Sequence, residues 1–126
     1  MLTGHAPFLV VPDVTATLEW YRDVLGFEIH AYFVDPEETG NATRDACTIF
    51  FNRGERARPN AEIVPPDLFD VYLYADDVEA LHREWREAGA EILHEPIGRP
   101  WNLREIRVRD LNGYVLGVGE PLEGYR

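Results

Sequence analysis

The sequence predicts an α+β fold in which a curved mixed sheet carries helices on its convex face and leaves an open concave cleft. Three observations predict it. First, VVPDVTATLEWYRDVLGFEI set beside YADDVEALHREWREAGAEIL aligns Asp13-Val14 with Asp77-Val78 and Gly26 with Gly89, an offset of about 63 residues, half the chain. Second, each half reads as a strand, a helix and then two or three strands, too few to bury both sheet faces alone. Third, 126 residues with 45% hydrophobic and 12% aromatic content are enough for one packed core. The chain is therefore read as a single domain, 1–126, of two repeats at about 5–55 and 67–120.

Residues 8–11 form a short apolar strand closed by Pro12, and Asp13 follows as a helix N-cap whose carboxylate accepts an early amide. The helix runs to about residue 25. Val14, Leu18, Tyr21 and Leu25 share one face, Glu19, Arg22 and Asp23 face water, and Gly26 ends it. Residues 27–34 are strand-like, 35–45 (DPEETGNATRD) read as an acidic polar loop, and 46–51 are again a strand. The loop has little burial to offset its ordering entropy, so it is expected to be mobile and to close over a ligand. RGERARPNAEIVPPD, with three prolines, is a connector. The second copy places a strand at 69–75, a cap at Asp77, a helix face of Val78, Leu81, Trp85 and Ala88 ended by Gly89, and a strand at 90–94.

The last hairpin carries the most specific signals. Ile106 and Val108 alternate with Glu105, Arg107 and Arg109, the period of a half-buried strand. Asn112-Gly113 tolerates positive φ and favours a turn into a return strand whose apolar face is Tyr114, Leu116 and Val118. Its other face carries Val115, Gly117 and Gly119, where the glycines leave room for close backbone approach or for a molecule that is not protein.

A formal charge of −11 repels nucleic-acid phosphates and anionic lipid, which argues against both as partners and favours cationic ligands. A single cysteine, Cys47, excludes an internal disulfide framework and a multi-Cys metal site. It alternates toward the helix side of its strand as a small buried side chain. No apolar run approaches the roughly 20 residues that span a bilayer, and the N-terminus lacks a basic region followed by an apolar core. The cytoplasm is the expected location. No Ser-His-Asp or Cys-His pairing, P-loop or GxGxxG supports nucleophilic or nucleotide chemistry. His30, His82 and His94 have no convergent partner, Trp85 is read as core, and Trp20 as partly exposed beside the first helix face.

VPDVTATLEWYRDVLGF, RDLNGYVLGV and the duplicated unit resemble the vicinal oxygen chelate superfamily, which includes glyoxalase I, extradiol dioxygenases and bleomycin resistance proteins. The resemblance covers nearly the whole chain and implies two tandem βαβββ units. In the family's enzymes four strand positions supply His and Glu ligands to a divalent ion. Matched here, they are Ala6, Thr48, Asp70 and Gly117, of which only Asp70 is a metal donor, with His5 one residue from Ala6. The bleomycin-resistance branch lacks those ligands as well. Its features are matched by Pro7, by Ala46-Cys47-Thr48-Ile49-Phe50, by Val71-Tyr72-Leu73-Tyr74 and, most sharply, by Pro100-Trp101-Asn102-Leu103-Arg104-Glu105. That branch implies a homodimer, with the N-terminal strand hooked at the proline and the drug in a cleft between subunits.

Strand faces opposite the helix-packing ones give a cavity lined by Phe8, Val10, Thr48, Phe50, Asp70, Tyr72, Tyr74, Glu105, Arg107 and Gly117, with Trp101 as a loop-borne stacking residue. Such a lining suits a flat ligand. Asp70 and Glu105 are offered to a ligand cation, and Arg107 to an anion or to Glu105 itself. The competing reading is that the aromatics are ordinary sheet residues and that Glu105 and Arg107 pair with each other. The leading reading is a metal-independent, cofactor-free protein of antibiotic-resistance type that sequesters an aromatic compound, cationic ones included, with no catalytic residue. The alternative is a metal-dependent lyase, isomerase or dioxygenase using His5, Asp70 and Glu105 or Glu120.

Overall fold

The computed structural model describes residues 1–32 and 38–123. The chain divides into two compact units, Met1–Arg58 and Pro59–Arg126, and the boundary falls inside the proline-bearing connector. Each unit is a βαβββ element with its own four-stranded mixed sheet.

The first unit contains β1 (Phe8–Val11), α1 (Val14–Asp23), β2 (Glu28–Ala31), β3 (Thr39–Arg44) and β4 (Cys47–Arg53), with strand order β1-β4-β3-β2. β1 runs parallel to β4, and the other neighbours are antiparallel. Asp13 caps α1 as its sequence position requires, accepting from the Ala16 N–H at 2.9 Å. The helix buries Val14, Thr17, Leu18 and Tyr21. Leu9, Val11, Ala42, Ile49 and Phe51, the inward set of the alternating strands, complete that core. Tyr21 meets Phe51 with ring centroids 4.8 Å apart.

One expectation fails here. Residues 39–44, read as the second part of a polar loop, are β3, hydrogen-bonded to β2 on one side and β4 on the other. Gly40, Asn41 and Ala42 are buried within it. A strand's ladder uses backbone groups, so small and polar side chains do not prevent pairing once both neighbours are in place. Of the rest of that loop, Glu38 and Asp45 are exposed at either end of β3, while 35–37, with the end of the preceding strand-like stretch, 33–34, lie outside the described residues.

The second unit opens with a 3₁₀ turn at Asn60–Glu62, followed by β5 (Val71–Tyr74), α2 (Val78–Glu87), β6 (Glu91–Gly98), β7 (Leu103–Arg109) and β8 (Val115–Pro121). Its order, β5-β8-β7-β6, repeats the topology of the first unit. Asp77 accepts from the Ala80 N–H at 3.0 Å, and Glu120 Oε1 from the Val78 N–H at 2.9 Å, so two orphan donors of α2 are satisfied by carboxylates. The buried stripe of α2 is Val78, His82 and Trp85. His82 takes the place expected for Leu81, and Ala88, the C-cap, is exposed: the stripe at i, i+4 and i+7 is rotated from the one predicted.

The β7–β8 connection also differs from a tight Asn-Gly turn. Only Gly113 of the pair has a positive φ, 91°. The turn starts earlier, at Asp110, whose Oδ1 accepts from Asn112 N at 2.8 Å and Tyr114 N at 2.9 Å, while Gly113 N donates to Asp110 O at 3.1 Å. An aspartate mimicking a backbone turn thus builds a longer loop. The edge strand β6 carries two register irregularities against β7 and holds Pro96, which an edge tolerates because that side needs no donor.

Candidate functional site

Side chains alternate across each sheet, so the face turned away from the helix can be read row by row from the strand register. In the first unit one row crosses all four strands as Phe8, Phe50, Asn41 and His30. In the second unit the corresponding row is Tyr72, Gly117, Arg107 and His94.

The first row is led by an aromatic pair. Phe8, 64% exposed, stacks on Phe50 with centroids 4.6 Å apart and planes 9° from parallel. Val10 is exposed one pleat along. Thr48 shares a hydroxyl contact of 3.0 Å with Thr43 directly across the ladder. Asn41 is buried, and its Nδ2 donates to Tyr32 OH at 2.7 Å.

The second unit concentrates charge. Glu105 is fully buried. Its Oε1 accepts from Tyr72 OH at 3.0 Å, and its Oε2 from Arg99 Nε at 3.0 Å and Arg107 Nε at 2.8 Å. Arg107 also donates through Nη1 to the Asp67 carbonyl at 3.0 Å and carboxylate at 3.2 Å, and lies over the Phe69 ring at 5.0 Å. His94 Nδ1 lies 2.9 Å from the Glu95 carbonyl; donating there leaves Nε2 to accept from Arg99 Nη2 at 3.1 Å. These bonds satisfy a carboxylate that burial alone would make very costly. Burial pushes the Tyr72 phenol up to about 12; the Trp101 indole, donating to it, acts in the opposite sense, and Glu105 adds to the rise.

The glycines of β8 are now accounted for. The Tyr72 ring lies over Gly117 and Gly119; a Cβ on Gly117 would come within 2.6 Å of the Tyr72 ring. The room is taken by protein, so Gly117 is covered rather than open to a ligand. The cation-binding role expected of the two carboxylates is likewise corrected. Glu105 is engaged by three donors, and both oxygens of Asp70 accept backbone N–H groups, from Asn60 at 2.7 Å and Val115 at 2.9 Å. Asp70 therefore ties the 3₁₀ turn to the start of β8. Arg107 pairs with Glu105, as the competing reading had it.

Trp101 sits in the β6–β7 turn, where Asn102 N donates to Arg99 O at 3.0 Å and Asn102 adopts a φ of 66°. Asparagine supplies the left-handed residue of that turn. The indole is 45% exposed, with the Arg99 guanidinium 5.7 Å from its centroid. Tyr74 is 60% exposed and meets Tyr72 at 5.4 Å. Arg99, Phe69 and Asn41 belong to these surfaces and were missed. Arg99 lay in a loop with no period to mark its direction, and Asn41 lay in the stretch misread as loop. His94 does converge on partners, through the β6 irregularities. Trp85 is core as expected; Trp20 is half-buried against Tyr21. Cys47 is half-buried, and burial followed by the Asp45 charge raises its thiol above the usual value.

The residues do not fit a family-type divalent ion. Of Ala6, Thr48, Asp70 and Gly117, only Asp70 has a metal-donor carboxylate, and its oxygens are taken. Glu120 is turned to α2 and Glu105 to the arginines. Among the described residues no three His, Cys, Asp or Glu side chains are grouped to hold a metal. Among the described residues no helix is long and apolar enough to cross a membrane.

A family model described as the Glyoxalase/Bleomycin resistance protein/Dioxygenase superfamily matches residues 4–118. No curated protein matches the sequence significantly. Among solved structures, a glyoxalase-related enzyme from Clostridium phytofermentans superposes with a TM-score of 0.78 at 17% identity, over 97% of each chain. A bleomycin-binding protein complexed with bleomycin gives 0.73 at 20%, over 94% of this chain and 98% of that one. TioX from Micromonospora sp. ML1 gives 0.72 at 21%, over 95% and 100%. At these identities the likeness is one of fold.

Proposed function

The chain belongs to the Glyoxalase/Bleomycin resistance protein/Dioxygenase superfamily, and from that premise we propose that it binds a flat aromatic small molecule and releases it unaltered. One observation carries the reading: the buried charges on the helix-free face of the second unit, Glu105 and Arg107, are answered by the protein itself, while aromatic surface stays exposed on both units. Phe8 presents a stacked ring in one unit; in the other, Tyr74 presents a ring held edge-on by Tyr72, and Trp101 one held by the Arg99 guanidinium. Aromatic rings held by neighbours but open on one side bind by stacking and area burial at little entropic cost. The proposed contacts are Phe8, Val10 and Phe50 on the first unit, and Tyr72, Tyr74 and Trp101 on the second.

The bleomycin complex of a protein with this fold supports an antibiotic-sequestering role. On this reading the chain acts in the cytoplasm as a homodimer. A thermal-shift screen of aromatic antibiotics, metal-free bleomycin among them, tests the reading. The expected result is saturable stabilisation, about 2.7 kcal/mol at a hundredfold excess over Kd, with the compound recovered unchanged. Near-stoichiometric divalent metal in protein purified without chelator, or chemical conversion of the bound compound, overturns it. Light scattering at micromolar concentration tests the dimer, and a monomer mass refutes it.

A further inference from the structure

Asn41 is half satisfied. Its Nδ2 is bonded to Tyr32 OH, but its Oδ1 is buried with no hydrogen-bond partner among the described residues, in a side chain belonging to a residue only 7% exposed. A buried carbonyl oxygen left this way carries a desolvation penalty that native structures rarely leave unanswered. Its position narrows the explanation. Asn41 stands directly opposite Phe50 in the β3–β4 ladder, so both side chains project from the same face at neighbouring points, about 5 Å apart at Cβ. The row therefore grades from exposed Phe8 through half-buried Phe50 to a buried amide. In the second unit the same place in the row is held by Arg107, whose donors are met by Glu105 and Asp67. The topology does not force an open valence there; the residue choice of the first unit leaves one.

We infer that Asn41 Oδ1 is a recognition point that accepts a hydrogen bond from an N–H carried on the edge of an aromatic ring seated against Phe50. The inference rests on the ligand-binding reading and deepens it, naming the ligand class as flat heteroaromatics or aryl amides with a donor at one edge. A site that supplies an acceptor in a desolvated place discriminates against a ligand of the same shape lacking the donor, because the acceptor then stays unpaired under the ring.

Indole and benzofuran make the test, since they share a shape and differ by N–H against ether oxygen. Each is titrated into isotope-labelled protein and followed by amide and side-chain NMR shifts, with Asn41→Asp and Asn41→Ala alongside. The expected result is that indole binds roughly three- to tenfold more tightly than benzofuran and shifts the Asn41 side-chain amide and Phe50. Asn41→Asp, which keeps an acceptor, retains the preference. Asn41→Ala loses it without weakening benzofuran. Equal affinities at those same resonances overturn the inference and leave the ligand-binding reading standing. Shifts that miss Asn41 and Phe50, or binding by neither probe, overturn it too, whereas the wider reading falls only with the antibiotic screen and the metal assay. The indole-to-benzofuran ratio in the unaltered protein decides the matter even where the alanine variant fails to fold.

Discussion

Phe8, Phe50, Asn41 and His30 stand on the four strands of one unit where Tyr72, Gly117, Arg107 and His94 stand on the four strands of the other. In the first row two rings stack and an amide is half paired. In the second a ring covers a glycine, and a guanidinium is held by a buried carboxylate beneath it. The backbone arrangement is the same, yet the polar groups of one row are answered by internal ion pairs and the other leaves an amide oxygen unanswered beside a stacked pair of rings. Duplication of a βαβββ unit repeats positions, not chemistry, and each copy's chemistry depends on whether a partner of the right charge lies within reach.

The largest expected effect breaks the second row at its centre. Glu105→Ala leaves Arg99 and the buried Arg107 without their shared carboxylate and should cost about 3–5 kcal/mol in urea unfolding. Thr39, its counterpart in the first unit, donates its hydroxyl to the exposed Asn52 side chain at 2.6 Å, so Thr39→Ala should cost about 1 kcal/mol or less. Equal losses in the two variants would mean that the units do not differ as described.

Gly117→Ala comes next. The new methyl meets the Tyr72 ring, and overpacking of this kind should cost about 1–3 kcal/mol and move the Tyr72 ring resonances. A variant as stable as the parent, with those resonances unmoved, would show that the ring does not rest there in solution.

Trp101→Ala should cost about 1 kcal/mol of stability, because the half-exposed indole gives up one hydrogen bond to the Tyr72 hydroxyl and a contact with the Arg99 guanidinium. Calorimetric titration of a ligand found by the screen should show binding weakened by about 1–3 kcal/mol, roughly 5- to 150-fold, taking base–aromatic stacking as the guide. Unchanged binding with easier unfolding would make Trp101 a packing residue and remove it from the proposed contacts.

The smallest effect is a pH dependence. With the Tyr72 pKa raised from the usual 10 to about 12, the folded chain holds this proton more tightly than the unfolded chain does. Its contribution to stability is therefore complete below pH 10 and falls as pH rises from about 10 to about 12. Tyr72→Phe should reduce that decline. In the native protein, phenolate absorbance should show Tyr72 ionising late among the six tyrosines.

The caps and helices were legible because Asp13 and Asp77 each precede an apolar stripe with three- and four-residue spacing, a signal local to one segment. The alternation of Glu105, Ile106, Arg107 and Val108 likewise announced β7 and its two faces. β3 was not legible: Thr39 to Arg44 offers no hydrophobic alternation, and its place between β2 and β4 depends on neighbours distant in sequence. Asn112-Gly113 pointed to a turn in the right place but of the wrong kind, since the Asp110 carboxylate captured two amides first. Among the site residues, Phe8, Tyr74 and Trp101 are exposed and Phe50 and Tyr72 half-buried, while Asp70, Glu105 and Gly117 are each committed to a partner within the unit.

By itself the sequence determined the α+β class, the half-chain repeat with its capped helices and the two faces of the strands it marked, since these follow from local periodicity, capping and turn chemistry; β3, and with it the full plan of the first unit, depended on neighbours distant in sequence. Only the tertiary structure decided which polar groups are left for a ligand. Tyr72 and Glu105 are 33 residues apart, and Arg107 and Asp67 are 40 apart. Whether a buried carboxylate is answered from within the chain, or an amide oxygen such as that of Asn41 is not, depends on distances of about 3 Å between segments that the sequence keeps far apart.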